Sequence, residues 1–148
     1  MSVEDDFVDP IRGDLFRMLC GERIGKGTSR EVYECAYDPR FVVKIESAPG
    51  SFQNVTEWNM WWDADRIPHA AEWLAPCVKI SPCGIVLIQK RTKPAKNYPK
   101  KLPEWLTDTK RTNYGMIGRR FVCHDYGVNT MRNSGLSKHL RKVDWWDG

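Results

Sequence analysis

Seven positions punctuate this chain in a fixed order: Gly25, Gly27, Lys44, Glu57, Asp108, Asn113 and Asp125. Two of them constrain the fold most. Lys44 stands inside an apolar run, Phe41-Val42-Val43-Lys44-Ile45, and Glu57 follows thirteen residues later in a stretch of helical character. A lysine turned inward from such a strand requires an anionic partner. An inward glutamate left unpaired is costly in the same way. Together they ask for a sheet with one helix packed on it, charge against charge. Taken singly, a solvent-facing Lys44 and an exposed Glu57 are the plain alternatives.

The local signals around that pair describe an α+β arrangement. Residues 10–19 read as a short lead-in helix or an irregular segment. Residues 20–35 alternate around a glycine-rich turn, the pattern of a hairpin. Phe41–Ile45 reads as a buried strand, and Ser51 to Asp65 as a helix closed by Pro68. On that helix Val55, Trp58 and Trp62 fall on one face. Cys77–Ile80 and Ile85–Gln89 form a second hairpin around Ser81-Pro82-Cys83-Gly84. Residues 92–103 hold three Pro and four Lys without periodicity, which predicts a linker or hinge. Two short strands follow, Met116–Ile117 and Phe121–Cys123, around Gly118-Arg119-Arg120. From Gly135 onward a short basic helix is expected, with Leu136, Leu140 and Val143 inward.

Composition narrows the function classes. The 148 residues are 41% hydrophobic with seven Trp, enough for a real core in one domain or one small two-lobed unit. No run approaches the roughly 20 apolar residues of a membrane span. The acidic start MSVEDDFVDP has no apolar stretch of a secretory signal, so a cytoplasmic protein is expected. Five Cys at irregular spacing, with no CxxC pair, read as reduced core thiols. Residues 90–120 carry ten bases against two acids. Such a stretch attracts phosphates of any kind, or is simply a solvated loop.

Each punctuating position has a chemical reading. Gly25 and Gly27, between two strand-like runs, let a backbone approach phosphates, although Gly-x-Gly in a hairpin also serves as a plain turn. Lys44, oriented by Glu57, is a cation for those phosphates. In Asp108-Thr-Lys-Arg-Thr-Asn113 an Asp and an Asn stand five apart. Asp108 can orient or deprotonate a hydroxyl, and Asn113 can offer a carbonyl to Mg²⁺. Asp125-Tyr126-Gly127 ends a hairpin and presents an acid in a turn, a usual way to offer a metal ligand; an ordinary turn is the alternative. His124 reads as a packing residue, or one that supports the ligands, rather than a metal ligand.

In this order the motifs IGKGTSREVY, FVVKIE, DTKRTN and HDYG resemble the protein-kinase-like superfamily. The resemblance spans Glu22 to Val128, about seven tenths of the chain. It is closest to a miniature member of the sort that phages and bacteria encode. It implies an antiparallel N-lobe sheet with one packed helix over 21–91, preceded by an acidic lead-in over 1–20. A strongly truncated C-lobe is implied over 92–148, because only 21 residues follow Gly127. By the same resemblance ATP and Mg²⁺ bind between the two. Lys44 holds the α- and β-phosphates, Glu57 orients it, and Asn113 and Asp125 bind metal. Asp108 is the base, Lys110 steadies the γ-phosphate, and the adenine edge meets backbone near Gln89–Arg91. Arg30 stands where the pattern has a third glycine, and still suits phosphate contact. The His and Arg that usually precede the catalytic Asp are replaced by Leu106 and Thr107.

The expected function is therefore an ATP- and Mg²⁺-dependent phosphotransferase of Ser/Thr type. One rival is a non-catalytic kinase-like module that docks on another protein, such as a host enzyme. It draws on the missing substrate platform, the basic stretch and the Trp-rich helix. A second rival is a nucleic-acid binder, with Tyr98, Trp105 and Tyr114 interleaved among the bases.

Overall fold

Lys44 does turn inward, and the sheet register explains how. Five antiparallel strands run in the order β1-β2-β3-β5-β4: β1 Cys20–Lys26, β2 Arg30–Cys35, β3 Phe41–Glu46, β4 Cys77–Ile80 and β5 Val86–Lys90. The computed structural model describes residues 3–48, 50–127 and 135–148. Cross-strand partners point to the same face of a sheet. Lys44 lies opposite Val32 on one side and Leu87 on the other. Arg30, two residues before Val32, shares that face because side chains alternate. Val43 points the other way, into a small cluster with Cys20 and Cys35.

Helices α1 (Val3–Leu19), α2 (Gln53–Ala64) and α3 (Pro68–Ala71) accompany the sheet. The chain is thus a mixed α+β protein, with a five-stranded antiparallel sheet and few helices. Helix α1 is longer than the lead-in read over 10–19. Pro68 opens α3 instead of merely closing α2. The buried face of α2 is not the expected apolar stripe. It consists of Asn54, Glu57, Met60 and Ala64, while Trp62 is exposed. The helix is turned by about one residue because Glu57 must meet Lys44. Trp58 and Trp62 pack on each other at 6.3 Å, and Arg66 lies over Trp62.

The remainder adds two small ribbons. β7 (Tyr114–Ile117) pairs with β8 (Arg120–Cys123) around Gly118, whose φ of 60° suits a residue without a side chain. β6 (Lys101–Pro103) pairs with β9 (Leu140–Lys142). The expected helix after Gly135 is therefore a strand over 140–142, and Leu140 is exposed, not inward. The stretch 92–103 is likewise no free linker. Its end forms β6, Lys93 bridges to Met116, and Tyr98 joins a ring cluster with Phe121 and Trp145.

One continuous core joins sheet and ribbons. Met60, Ala64, Leu74 and Leu87 pack with Leu102, Trp105, Leu106, Tyr114, Cys123 and Tyr126. Backbone bonds reinforce it: Cys123 N–H donates to Trp73 O at 2.8 Å, and Ala75 N–H to Cys123 O at 2.9 Å. All five cysteines are free; four are buried and Cys83 is exposed, a departure from the all-core reading. Burial pushes the Cys20 thiol up to about 11 and that of Cys77 to about 12. No helix among the described residues is long and apolar enough to cross a membrane.

Candidate functional site

Four charged side chains from four segments meet on the inner face of the sheet. Lys44 comes from β3, Arg30 from the start of β2, Glu57 from α2 and Asp125 from the turn after β8. Glu57 is at the centre and fully buried. Lys44 Nζ donates to its Oε1 at 3.0 Å and its Oε2 at 3.1 Å. Arg30 donates to Glu57 Oε2, and Tyr126 N–H donates to Oε1 at 2.9 Å. Burial pushes the Glu57 carboxyl up, but Lys44 and Arg30 more than offset it, leaving its pKa at about 2. Burial lowers the pKa of Arg30, whereas Glu57 and Asp125 raise it, with a net rise.

Arg30 is only 5% exposed and has two further partners. Its guanidinium donates to Asp125 Oδ1 at 2.6 Å and to Asn54 Oδ1 at 3.1 Å. Asn54 is itself pinned, its amide donating to Lys44 O at 3.1 Å and Ile85 O at 2.8 Å. Asn54 is a site residue that the motif reading passes over. Its signal was available: it lies three residues before Glu57, on the same helical face. His124, read as a packing or supporting residue rather than a metal ligand, also belongs here. Its carbonyl accepts from Lys44, while its ring bonds Thr92 Oγ1 at 2.7 Å and Thr112 O at 2.8 Å. Burial, and then Lys44, lower the pKa of His124.

The other expected residues divide. Asn113 is beside Asp125: its carbonyl accepts from His124 N–H at 2.8 Å and Asp125 N–H at 3.3 Å. Asp108 opens the same loop. Its Oδ1 accepts from Lys110 N–H at 3.2 Å, and its carbonyl from the Tyr114 hydroxyl at 2.8 Å. Lys110 is turned elsewhere, with its ammonium 5.6 Å from the Trp146 ring centre. To reach a phosphate it must leave that ring. Gln89 is fully buried in the core, with Nε2 3.9 Å from Cys77 Sγ and Oε1 without a hydrogen-bond partner among the described residues. The backbone expected to meet adenine is partly engaged, since Lys90 N–H donates to Pro76 O and Arg91 N–H to Arg40 O.

Gly25 lies opposite Val32, and Gly27 N–H closes the hairpin turn onto Arg30 O at 2.8 Å. Neither has a positive φ, and a Cβ would meet ordinary contacts at 3.6 and 3.7 Å. The fold alone does not demand glycine at either position. Gly127 differs, because a Cβ there would come within 2.7 Å of Gln53 O. That close approach seats the Asp125 turn against the start of α2. A separate cavity of about 270 Å³, lined in part by Phe52, Val55, Cys83 and Ile85, includes none of these site residues.

The arrangement can hold charge, but it does not fit a resident divalent metal. One oxygen of the Asp125 carboxylate, expected with Asn113 to hold Mg²⁺, accepts from Arg30. Among the described residues no group of three or more His, Cys, Asp or Glu is placed to hold a metal ion. A scan against protein-family models and a search of curated proteins found no match to this chain.

Proposed function

We propose that this chain is a kinase-like protein that binds ATP on the inner face of its sheet and transfers the γ-phosphoryl group to a hydroxyl acceptor. The observation that carries the reading is the buried Lys44–Glu57 pair, tied through Tyr126 N–H to the turn bearing Asp125. Phosphoryl transfer needs positioned charge more than covalent chemistry from the protein. The same charged pair on β3 and α2 is what the resemblance implies. Further support comes from the two hairpin glycines that the fold does not require, and from the backbone bonds that hold Asn113 beside Asp125. In this reading Asp108 takes the acceptor's proton as its oxygen bonds the γ-phosphorus and the bond to the β-phosphate oxygen breaks.

The test is a thermal shift with ATP, run with and without Mg²⁺. ATP at about 100 times its Kd should add roughly 2.7 kcal/mol. An unchanged melting temperature at millimolar ATP in both conditions counts against the reading. One observation favours a second reading, a non-catalytic module that docks on another protein. All three N–H donors of Lys44 are already engaged, and the two cations balance the two carboxylates. Under that reading Arg30 and Glu57 variants lose stability, and ATP has no effect on either.

A further inference from the structure

We propose that Arg30 is the resident cation of this site and takes the place of a divalent metal, so that a nucleotide's phosphates are received without Mg²⁺. The inference rests on the nucleotide-binding reading above and concerns how that same site is neutralised.

Two carboxylates, Glu57 and Asp125, converge here, and their charges oppose each other unless a cation stands between them. Arg30 stands there. One guanidinium nitrogen donates to Glu57 and the other to Asp125. A guanidinium keeps its charge at any working pH, and its planar fork can bridge two anions. Its place is built in advance. The β2–β3 register sends Arg30 to the face of Lys44, and Asn54, itself fixed by two carbonyls, holds the fork from one side.

Donor arithmetic then assigns the phosphate contact. An ammonium has three N–H donors and a guanidinium five. The three of Lys44 go to Glu57 twice and to His124 O. Among the described residues Arg30 spends three, on Asn54, Glu57 and Asp125, and keeps two. Asp125, 42% exposed, marks the side of the cluster open to solvent. Of the two cations, both buried, Arg30 is therefore the one with N–H donors left for a phosphate. A metal ion arriving on the same side meets a carboxylate already neutralised.

The experiment measures ATP binding calorimetrically in EDTA and in Mg²⁺, and separately titrates Mn²⁺ alone while the amide signals of Asn113 and Asp125 are followed by NMR. Wild type is expected to bind ATP with Kd values within about threefold in the two conditions, and to show no Mn²⁺ broadening at those amides. Arg30→Gly, which restores the glycine of the resemblance, should acquire both Mn²⁺ broadening and a loss of ATP affinity in EDTA of about tenfold or more. Arg30→Lys, which keeps the charge, should stay closer to wild type. ATP binding by wild type only with Mg²⁺, or Mn²⁺ broadening at Asp125 in wild type, overturns the proposal and leaves the nucleotide reading standing. No ATP binding in either condition overturns both. If Arg30→Gly does not fold, the two wild-type measurements decide alone.

Discussion

Glu57 concentrates the energetics of the site in one side chain. It sits fully buried between two cations, and losing one partner of such a cluster strands the rest in a medium that solvates charge poorly. Glu57→Gln should therefore destabilise the fold by about 3–5 kcal/mol, read from urea unfolding. The pH dependence has a definite sign. The Glu57 pKa falls from 4.5 to about 2 on folding, so its contribution is complete above pH 4.5 and is lost as pH falls toward about 2. His124 is lowered from 6.5, so its contribution is complete above pH 6.5 and declines below it. Wild-type unfolding midpoints should begin to drop just under pH 6.5, and His124→Gln should flatten that first decline. Under the phosphotransfer proposal Asp108 acts in the chemical step. Asp108→Ala should abolish autophosphorylation of a Ser or Thr while ATP affinity stays near wild type. Undiminished phosphate incorporation in the variant would remove Asp108 from the role of base.

At the scale of elements, α2 shows how a charge contact overrules an apolar pattern. The stripe Val55, Trp58, Trp62 is the more hydrophobic one, yet the helix buries Asn54, Glu57, Met60 and Ala64. A carboxylate shared by Lys44, Arg30 and a backbone N–H outweighs the transfer of one indole from water. Of the unburied stripe, Trp58 is partly buried against the core and packs on Trp62, which Arg66 covers. The helix start is held by the same logic. Glu46 of β3 accepts from Asn54 N–H at 2.7 Å, which places a carboxylate at the positive end of the helix. Met60→Ala should cost about 2–5 kcal/mol, whereas Trp62→Ala should cost less than about 1. The reverse order in denaturation midpoints would mean that the helix faces the other way.

Across the whole molecule the sheet and the ribbons share a core, so they are expected to unfold together. Trp105 lies far from the sheet in sequence but is fully buried in the cluster that includes Leu87 and Met60. Trp105→Ala should cost about 3–5 kcal/mol and lower the hydrogen-exchange protection of β3 and β5 as well as that of β7 and β8. Protection lost in β7 and β8 alone would show two separate cooperative units. The β6–β9 ribbon also redistributes charge. Lys101 faces Lys142, with Lys100 and Arg141 nearby, so bases some forty residues apart in sequence share one exposed strip.

Much of the sheet was legible from sequence because its signals are local. Alternation, turn residues and apolar runs located β3, β4 and β5 within about a residue, the β1–β2 hairpin as a unit over 20–35, and the hairpin around Gly118 with its first strand begun two residues late. The pairing of Lys44 with Glu57 was legible too, since each requires the other. What only the tertiary structure decided are the contacts that no local pattern encodes. The strand over 140–142 has no hydrophobic period of its own and exists because β6 offers it an edge. Lys110 lies over Trp146, thirty-six residues away, because β9 and the residues after it run alongside the Asp108 loop. Arg30 reads from sequence as a missing glycine. Only the register of β2 on β3, with Asp125 brought ninety-five residues across the chain, makes it the cation between two carboxylates.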